Sequence, residues 1–412
     1  MASQRPAAAE RTSDRPSDTY AYYHEVFADC ERPFAFVDLD ALDSNIETVQ
    51  RRAAGTPVRV ASKSVRCRSI LERVLDADGI RGIMAYGGYE AAWLADEGFD
   101  DLLVAYPVVE AAELEAIAER VADGTQIVCM VDSVEHIERA AEAAEAVGTT
   151  LPLCLDIDMS TEHLGIYFGV RRSEIRSAAQ ARRRAAFIER TDGVSLEAVM
   201  GYEGQIAGLP DDNPANNAAV NFVVRQLKRL SRSEVLDRRG AVIAGLTADG
   251  HDLRYVNGGG TGCVEFASGD PAVTEVTVGS GFYTPHLFDN FRRFTHQPAA
   301  GYAIEVTRRP DQSIVTCRGG GYVASGPPGV DKIPQPWLPR RAELIDTEAA
   351  GEVQTPIQYR GPGTTSMLGD PVFMRHAKAG ELCRNFEALH LVADGEIVET
   401  VPTYRGDGKQ FF

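Results

Sequence analysis

Three features of the 412-residue sequence predict an α/β protein, a TIM (β/α)8 barrel with a C-terminal mostly-β domain. From residue 57 onward, short β-branched and apolar runs alternate with Ala/Glu/Arg segments of helical period. That alternation is the pattern of βα units around a parallel sheet. Eight such units fill about 230 residues, which suits a barrel better than a doubly wound sheet. Beyond about residue 298 the chain changes to Gly/Pro-rich turns and short extended runs.

Taken in order, residues 1 to 19 are polar, rich in Pro, Ser, Arg and Asp, and read as a disordered tail rather than a signal peptide. Pro33 to Asp40 forms a strand ahead of the barrel, expected to pair with the C-terminal strands, and a helix follows from about Leu42 to Ala53. The eight barrel strands are expected at 57–62, 80–85, 101–106, 126–131, 151–157, 194–201, 252–257 and 273–279. Helices are expected between them, among them 108–122 and 133–147, the latter with Asp132 or Ser133 as its N-cap. The barrel domain is thus expected over 33–297 and the β domain over 298–412, with extended runs at 303–307, 313–317, 371–375, 388–392 and 396–400. The Pro-rich insert Gly326 to Trp337 reads as an interface or entry loop, or simply a rigid surface loop.

Composition narrows the function. A formal charge of −18, with no basic run carrying interleaved aromatics, argues against a nucleic-acid partner, and Arg182-Arg-Arg184 reads as a solvated helix face. No stretch approaches the ~20 apolar residues of a membrane span. Seven scattered cysteines without a CxxC pair fit reduced thiols in a cytoplasm. Gly258-Gly-Gly-Thr-Gly262 does not fit GxGxxG, so a dinucleotide fingerprint is lacking.

Lys63 carries the most information. Of 42 Lys plus Arg only five are lysines, and Lys63 is the only one before Lys228, at the end of the first barrel strand. Barrel active sites lie at the C-terminal ends of strands. An amine, unlike a guanidinium, loses its proton when desolvated and forms a Schiff base with an aldehyde. The plain alternative is a snorkelling lysine at a strand end. Strands seven and eight run into Asn257-Gly-Gly-Gly-Thr-Gly262 and Gly279-Ser-Gly-Phe-Tyr283. Loops after those two strands are a frequent phosphate cradle, because backbone N–H groups free of side chains approach an anion closely. Tight turns alone explain two loops of this kind less readily. A lysine facing a phosphate site implies a phosphorylated aldehyde, for which pyridoxal 5'-phosphate is the economical candidate.

These pieces resemble the fold-type III pyridoxal phosphate enzymes, specifically the group around D-threonine aldolase and D-serine dehydratase with alanine racemase-like barrels. The resemblance rests on Phe36-Val-Asp-Leu-Asp-Ala-Leu42 with Asn45-Ile46, the strand ending in Lys63, Leu155-Asp-Ile-Asp158, Gly201-Tyr-Glu-Gly204, Val256 to Gly262, Glu275 to Ser280, and Arg375-His-Ala-Lys378. It implies that Lys63 is the Schiff-base lysine and that Asn257, Gly259, Gly260, Thr261, Gly279 and Ser280 lie around the cofactor and its phosphate. Tyr202 would sit near the ring.

The chain also departs from that pattern. Gln205 stands where the family often has His, and His163 stands at the basic position of the racemase motif. Thr277 replaces an arginine that racemase-like members hold near the pyridine nitrogen, and a neutral threonine is expected neither to act as a strong electron-sink partner nor to clamp that nitrogen with a charge. The family's divalent metal is held by a His and, two residues on, an Asp or Cys; here His376 is followed by Ala377 and Lys378. A protonated lysine repels a cation. One reading keeps a metal on His376 with Glu381 or Cys383; the other discards it and gives Lys378 an electrostatic role beside the substrate. For Cys383, a packed thiol is the plain alternative.

The resemblance implies a D-β-hydroxy-α-amino acid substrate, with Lys63, His163, His376 and Lys378 as candidate catalytic groups. Breaking Cα–Cβ gives aldolase chemistry, and losing the β-hydroxyl gives dehydration and deamination. Racemisation ranks third, since no second base opposite Lys63 is evident. A non-catalytic pyridoxal phosphate carrier is the alternative from another class, disfavoured by the extra domain. The resemblance further implies a homodimer.

Overall fold

The computed structural model describes residues 19–411 apart from Leu164, Pro328, 361–365 and Ala379. The expected tail therefore lies outside the described residues except for Thr19, which opens the helix Thr19–Val26.

In chain order the first strands are β1 (Phe34–Asp38), β2 (Val58–Ala61), β3 (Ile80–Ala85), β4 (Leu102–Val104), β5 (Ile127–Val131) and β6 (Leu151–Asp156). A short hairpin, β7 (Thr161–His163) and β8 (Ile166–Phe168), precedes β9 (Val194–Gly201), β10 (Tyr255–Gly258) and β11 (Glu275–Val278). Strands β2 to β6 and β9 to β11 close a parallel barrel, with β11 pairing back onto β2. Its interior is packed by alternate residues of neighbouring strands, such as Leu103 and Ala105, Val128 and Met130, Ala198 and Met200, capped by Tyr255. These positions follow from the period of two that points every second side chain inward.

The remaining strands are β12 (Ala300–Arg308), β13 (Ile314–Arg318), β14 (Gln335–Leu338), β15 (Ala342–Leu344), β16 (Gln354–Tyr359), β17 (Pro371–Arg375), β18 (Ala388–Ala393) and β19 (Glu396–Pro402). They build a second sheet, and β1 lies inside it, antiparallel to β12 and parallel to β18. The rings of Tyr23, Phe27, Phe34, Phe36 and Phe373 pack on this sheet as one cluster.

Several boundaries differ from expectation for identifiable reasons. The helix after β1 starts at Leu39, not Leu42, because the Asp38 carboxylate accepts the Ala41 N–H at 2.9 Å and so caps it. Ser133 rather than Asp132 caps Val134–Val147 by accepting from His136 N. The end of the Gly326 to Trp337 insert is a strand rather than a loop: β14 pairs with β17, and Trp337 packs 5.5 Å from the Tyr23 ring.

Candidate active site

Lys63 emerges from the end of β2 in a one-turn 3-10 helix, Ser62–Ser64. Its side chain is exposed rather than buried, and Nζ donates to the Tyr106 hydroxyl at 3.0 Å. Arg66 is not beside the amine, since its Nε donates to the Lys63 carbonyl and its guanidinium stacks on Tyr86. The cation facing this corner is Arg172, which lies over the rings of both Tyr106 and Tyr202 at 5.0 and 5.6 Å. Arg172 is held by Asp156 at 3.2 Å and by the Ala105 carbonyl at 2.8 Å. Burial raises the Tyr106 phenol, but Lys63 and Arg172 together outweigh it and leave the phenol below its ordinary value. Burial lifts Asp156 to about 6 against the pull of Arg172.

The two glycine-rich loops meet this corner from the side of β10 and β11. Gly259 adopts a φ of +91°, open to glycine, and its N–H donates to Glu203 at 3.0 Å. Gly281 N donates to Thr261 Oγ1 at 3.0 Å, tying one loop to the other. Ser280 and Ser64 hydroxyls lie 3.4 Å apart, so the second loop touches the Lys63 turn directly. A Cβ at Gly279 would sit 2.6 Å from Ser64 Oγ and 2.9 Å from Ala61 Cβ. The N–H groups of Gly260, Thr261 and Ser280 donate to no acceptor among the described residues. Backbone N–H groups left unpaired on adjoining loops suit an anion, and a phosphate held by these loops with its aldehyde toward Lys63 fits the residues present. Tyr202 borders the same loop, 3.4 Å from where a Cβ on Gly260 would be. Gln205 donates to Met159 O at 2.7 Å. Asn257 and Thr277 are buried inside the barrel and bonded to each other at 3.0 Å.

The C-terminal segment closes the corner from a third side. A Cβ on Gly380 would lie 2.1 Å from the Lys63 carbonyl oxygen, and Cys383 Sγ donates to Val65 O at 3.2 Å. Lys378 Nζ donates to Ser325 O at 3.3 Å, and its charge is felt by Glu381. His376 is fully buried with neither ring nitrogen partnered; burial first, then Arg375 and His286, lower it to about 3, so its imidazole is neutral.

Among the described residues, no group of three His, Cys, Asp or Glu side chains able to hold a metal ion is present. Cys383 is a buried thiol pushed well above its ordinary value and bonded to a carbonyl. Glu381 Oε1 faces Ser325 at 3.4 Å. His163, by contrast, points to Ser231 on the helix Ala218–Ala248, 3.5 Å from its hydroxyl. That bond joins it to none of the residues around Lys63.

Sequence reasoning missed Tyr106, Arg172 and Ser64. Tyr106 follows the end of β4, where the rule for barrel strands pointed without a chemical signal. Arg172 arrives from the loop after the β7/β8 hairpin, a placement no spacing announces.

Residues 37–286 match the model of a protein family, alanine racemase, N-terminal domain. The chain belongs to that family. The 3-hydroxy-D-aspartate aldolase of Paracoccus denitrificans (strain Pd 1222) is 26% identical over 255 residues, 61% of this chain and 60% of that protein. The chain therefore aligns with 60% of that relative's length. The D-threonine aldolase of an Arthrobacter species is 25% identical over 308 residues, 73% of this chain and 75% of that one. The crystal structure of D-threonine aldolase from Filomicrobium marinum superposes with a TM-score of 0.77 at 20% identity, covering 92% of this chain and 96% of that one. D-threo-3-hydroxyaspartate dehydratase from Delftia sp. HT23 gives 0.72 at 19% identity, over 92% and 98%. These two likenesses establish the alanine racemase-like barrel with its strand-rich C-terminal region.

Proposed function

We propose that the protein is a pyridoxal phosphate-dependent lyase that cleaves or forms the Cα–Cβ bond of a D-β-hydroxy-α-amino acid. The observation that carries this reading is the Lys63 amine at the barrel mouth, 3.0 Å from Tyr106 and joined through Ser64 and Ser280 to loops with unpaired backbone N–H groups. The names of the sequence relatives, two aldolases of D-configured hydroxy amino acids, support the choice of reaction. Bound there, the cofactor supplies an electron-withdrawing ring that stabilises negative charge at the substrate Cα.

The chain's own residues do the rest. Lys63 would hold the aldehyde carbon, the loops at Gly259, Gly260, Thr261, Gly279 and Ser280 would hold the phosphate, and Tyr202 and Gln205 would line the ring. Tyr106 accepts the Lys63 hydrogen bond and, lowered by two cations, gives up its own proton more readily than a free phenol would. Arg172 keeps positive charge at the same corner. Lys378, two residues before the Gly380 that abuts the Lys63 carbonyl, would offer an ammonium to the substrate hydroxyl or carboxylate in place of a metal. His376 is too buried to touch substrate in this conformation. A homodimer in a cytoplasmic compartment completes the proposal. No helix among the described residues is long and apolar enough to cross a membrane.

The test is to add D- and L-threonine, D- and L-serine and 3-hydroxyaspartate to the loaded protein, with and without a chelator. Glycine plus an aldehyde from the D isomers, unaffected by the chelator, is the expected result. An oxo acid with ammonia would replace the aldolase reading by the dehydratase. Loss of turnover with the chelator would restore a metal.

A further inference from the structure

We propose that Thr277 meets the ring nitrogen of the cofactor as a hydrogen-bond acceptor, so that this nitrogen is held protonated. The inference rests on the reading of Lys63 and the glycine loops as a pyridoxal phosphate site. It turns on a buried column of side chains that the mechanism above does not use.

The column begins at Arg59, wholly buried in β2, whose Nε donates to Glu275 Oε1 at 2.7 Å and whose second terminal nitrogen donates to Oε2 at 2.9 Å. Glu275, against the cost of burial, helps to keep that guanidinium protonated. Both carboxylate oxygens of Glu275 face guanidinium N–H groups and so act as acceptors. Asn257 Nδ2 donates to the same Glu275 Oε1 at 2.7 Å, and Thr277 Oγ1 donates to Asn257 Oδ1 at 3.0 Å.

The orientation of the Asn257 amide follows from this chemistry. Turning it over would set its carbonyl oxygen against a carboxylate oxygen at hydrogen-bond distance, two acceptors face to face. Its oxygen must therefore face Thr277. A threonine hydroxyl has one proton and two lone pairs. With the proton committed to Asn257, only lone pairs remain for whatever lies above.

Register places Thr277 where the ring would pass. Glu275 and Thr277 share the inward face of β11, two residues apart, and Thr277 pairs with Arg59 on β2. A molecule anchored by its phosphate on the loops after β10 and β11, and by its aldehyde on Lys63 after β2, spans the end of β11. Thr277 is the last inward side chain there. A pyridine nitrogen without a proton would meet lone pairs with a lone pair, whereas a protonated nitrogen donates to Thr277. The protonated ring draws more charge from Cα, which suits cleavage of a carbon–carbon bond.

The experiment is solid-state nitrogen NMR of the holoprotein loaded with cofactor labelled with 15N in the ring. The wild type is expected at the shielded position of a pyridinium. Thr277→Val, close in shape but without an acceptor, should move the signal most of the way to free pyridine, and Thr277→Ser should restore it. Should Thr277→Val fail to fold, Thr277→Ala is read in its place. A wild-type signal at the unprotonated position, or one that Thr277→Val leaves unmoved, overturns the proposal. Failure of the underlying site is distinct: the cofactor then is not fixed to Lys63 at all.

Discussion

Inside the barrel, from Arg59 through Glu275 and Asn257 to Thr277, each buried side chain meets a partner of complementary role. The segment 376–381 that borders Lys63 from the other side differs. There both His376 nitrogens and Glu381 Oε2 are buried without a partner. A buried polar group left unpaired costs about 1–3 kcal/mol. The column is finished by folding alone, whereas the segment keeps polar capacity unused in the absence of substrate. The difference separates a column in which each donor meets an acceptor from buried side chains whose polar capacity folding leaves unmet.

The largest effect should come from breaking the column. Glu275→Ala takes from Arg59 its fully buried carboxylate partner and leaves Asp101 Oδ1, at 3.0 Å, as the carboxylate beside the guanidinium, which should cost about 3 kcal/mol in denaturant unfolding. A loss under about 1 kcal/mol would mean that the column is not a structural unit. On the other side of the comparison stands His376. Its value in the folded protein is about 3, below the ordinary 6.5, so the unfolded chain takes up a proton first as pH falls. Its contribution is complete above 6.5 and declines from there toward 3. Between pH 7 and pH 5 this amounts to about 2 kcal/mol. His376→Leu should therefore flatten the acid side of the stability profile by that amount. His286 and His296, each lowered to about 4 with burial as the main cause, retain the same sign of dependence in the variant, and Glu90, raised by burial to about 7, opposes them.

Gly279→Ala is expected next, because the new methyl group meets Ala61 Cβ at 2.9 Å as well as Ser64 Oγ, and the Ala61 contact cannot rotate away. Cofactor affinity should fall about tenfold, or ~1.4 kcal/mol, measured by equilibrium dialysis. The smallest effect on stability belongs to Lys378→Ala. That half-buried side chain should change unfolding by no more than ~0.5 kcal/mol, while turnover falls at unchanged cofactor affinity. An unchanged turnover would remove Lys378 from the substrate side.

The sequence disclosed the barrel because its strands are uninterrupted β-branched and apolar runs; β3 and β9 lie where they were expected, and the others shift by up to three residues. It hid β14 and β16, which contain Pro336 and Pro356, residues that ordinarily argue against a strand. The helix Ala218–Ala248 also went unassigned, since its length and arginine content blur an apolar face. At the site, Lys63 was legible through the scarcity of lysine, and the glycine loops through their positions after consecutive strands. Arg172 was not, because the chain makes a hairpin before delivering it.

The central claim is that Lys63 binds the aldehyde of pyridoxal phosphate, and borohydride reduction of the loaded protein followed by peptide mass spectrometry tests it most directly. The account predicts one reduced adduct, on the peptide carrying Lys63, lost in Lys63→Ala. An adduct on the peptide of Lys228, Lys332, Lys378 or Lys409, or none at all, would contradict it.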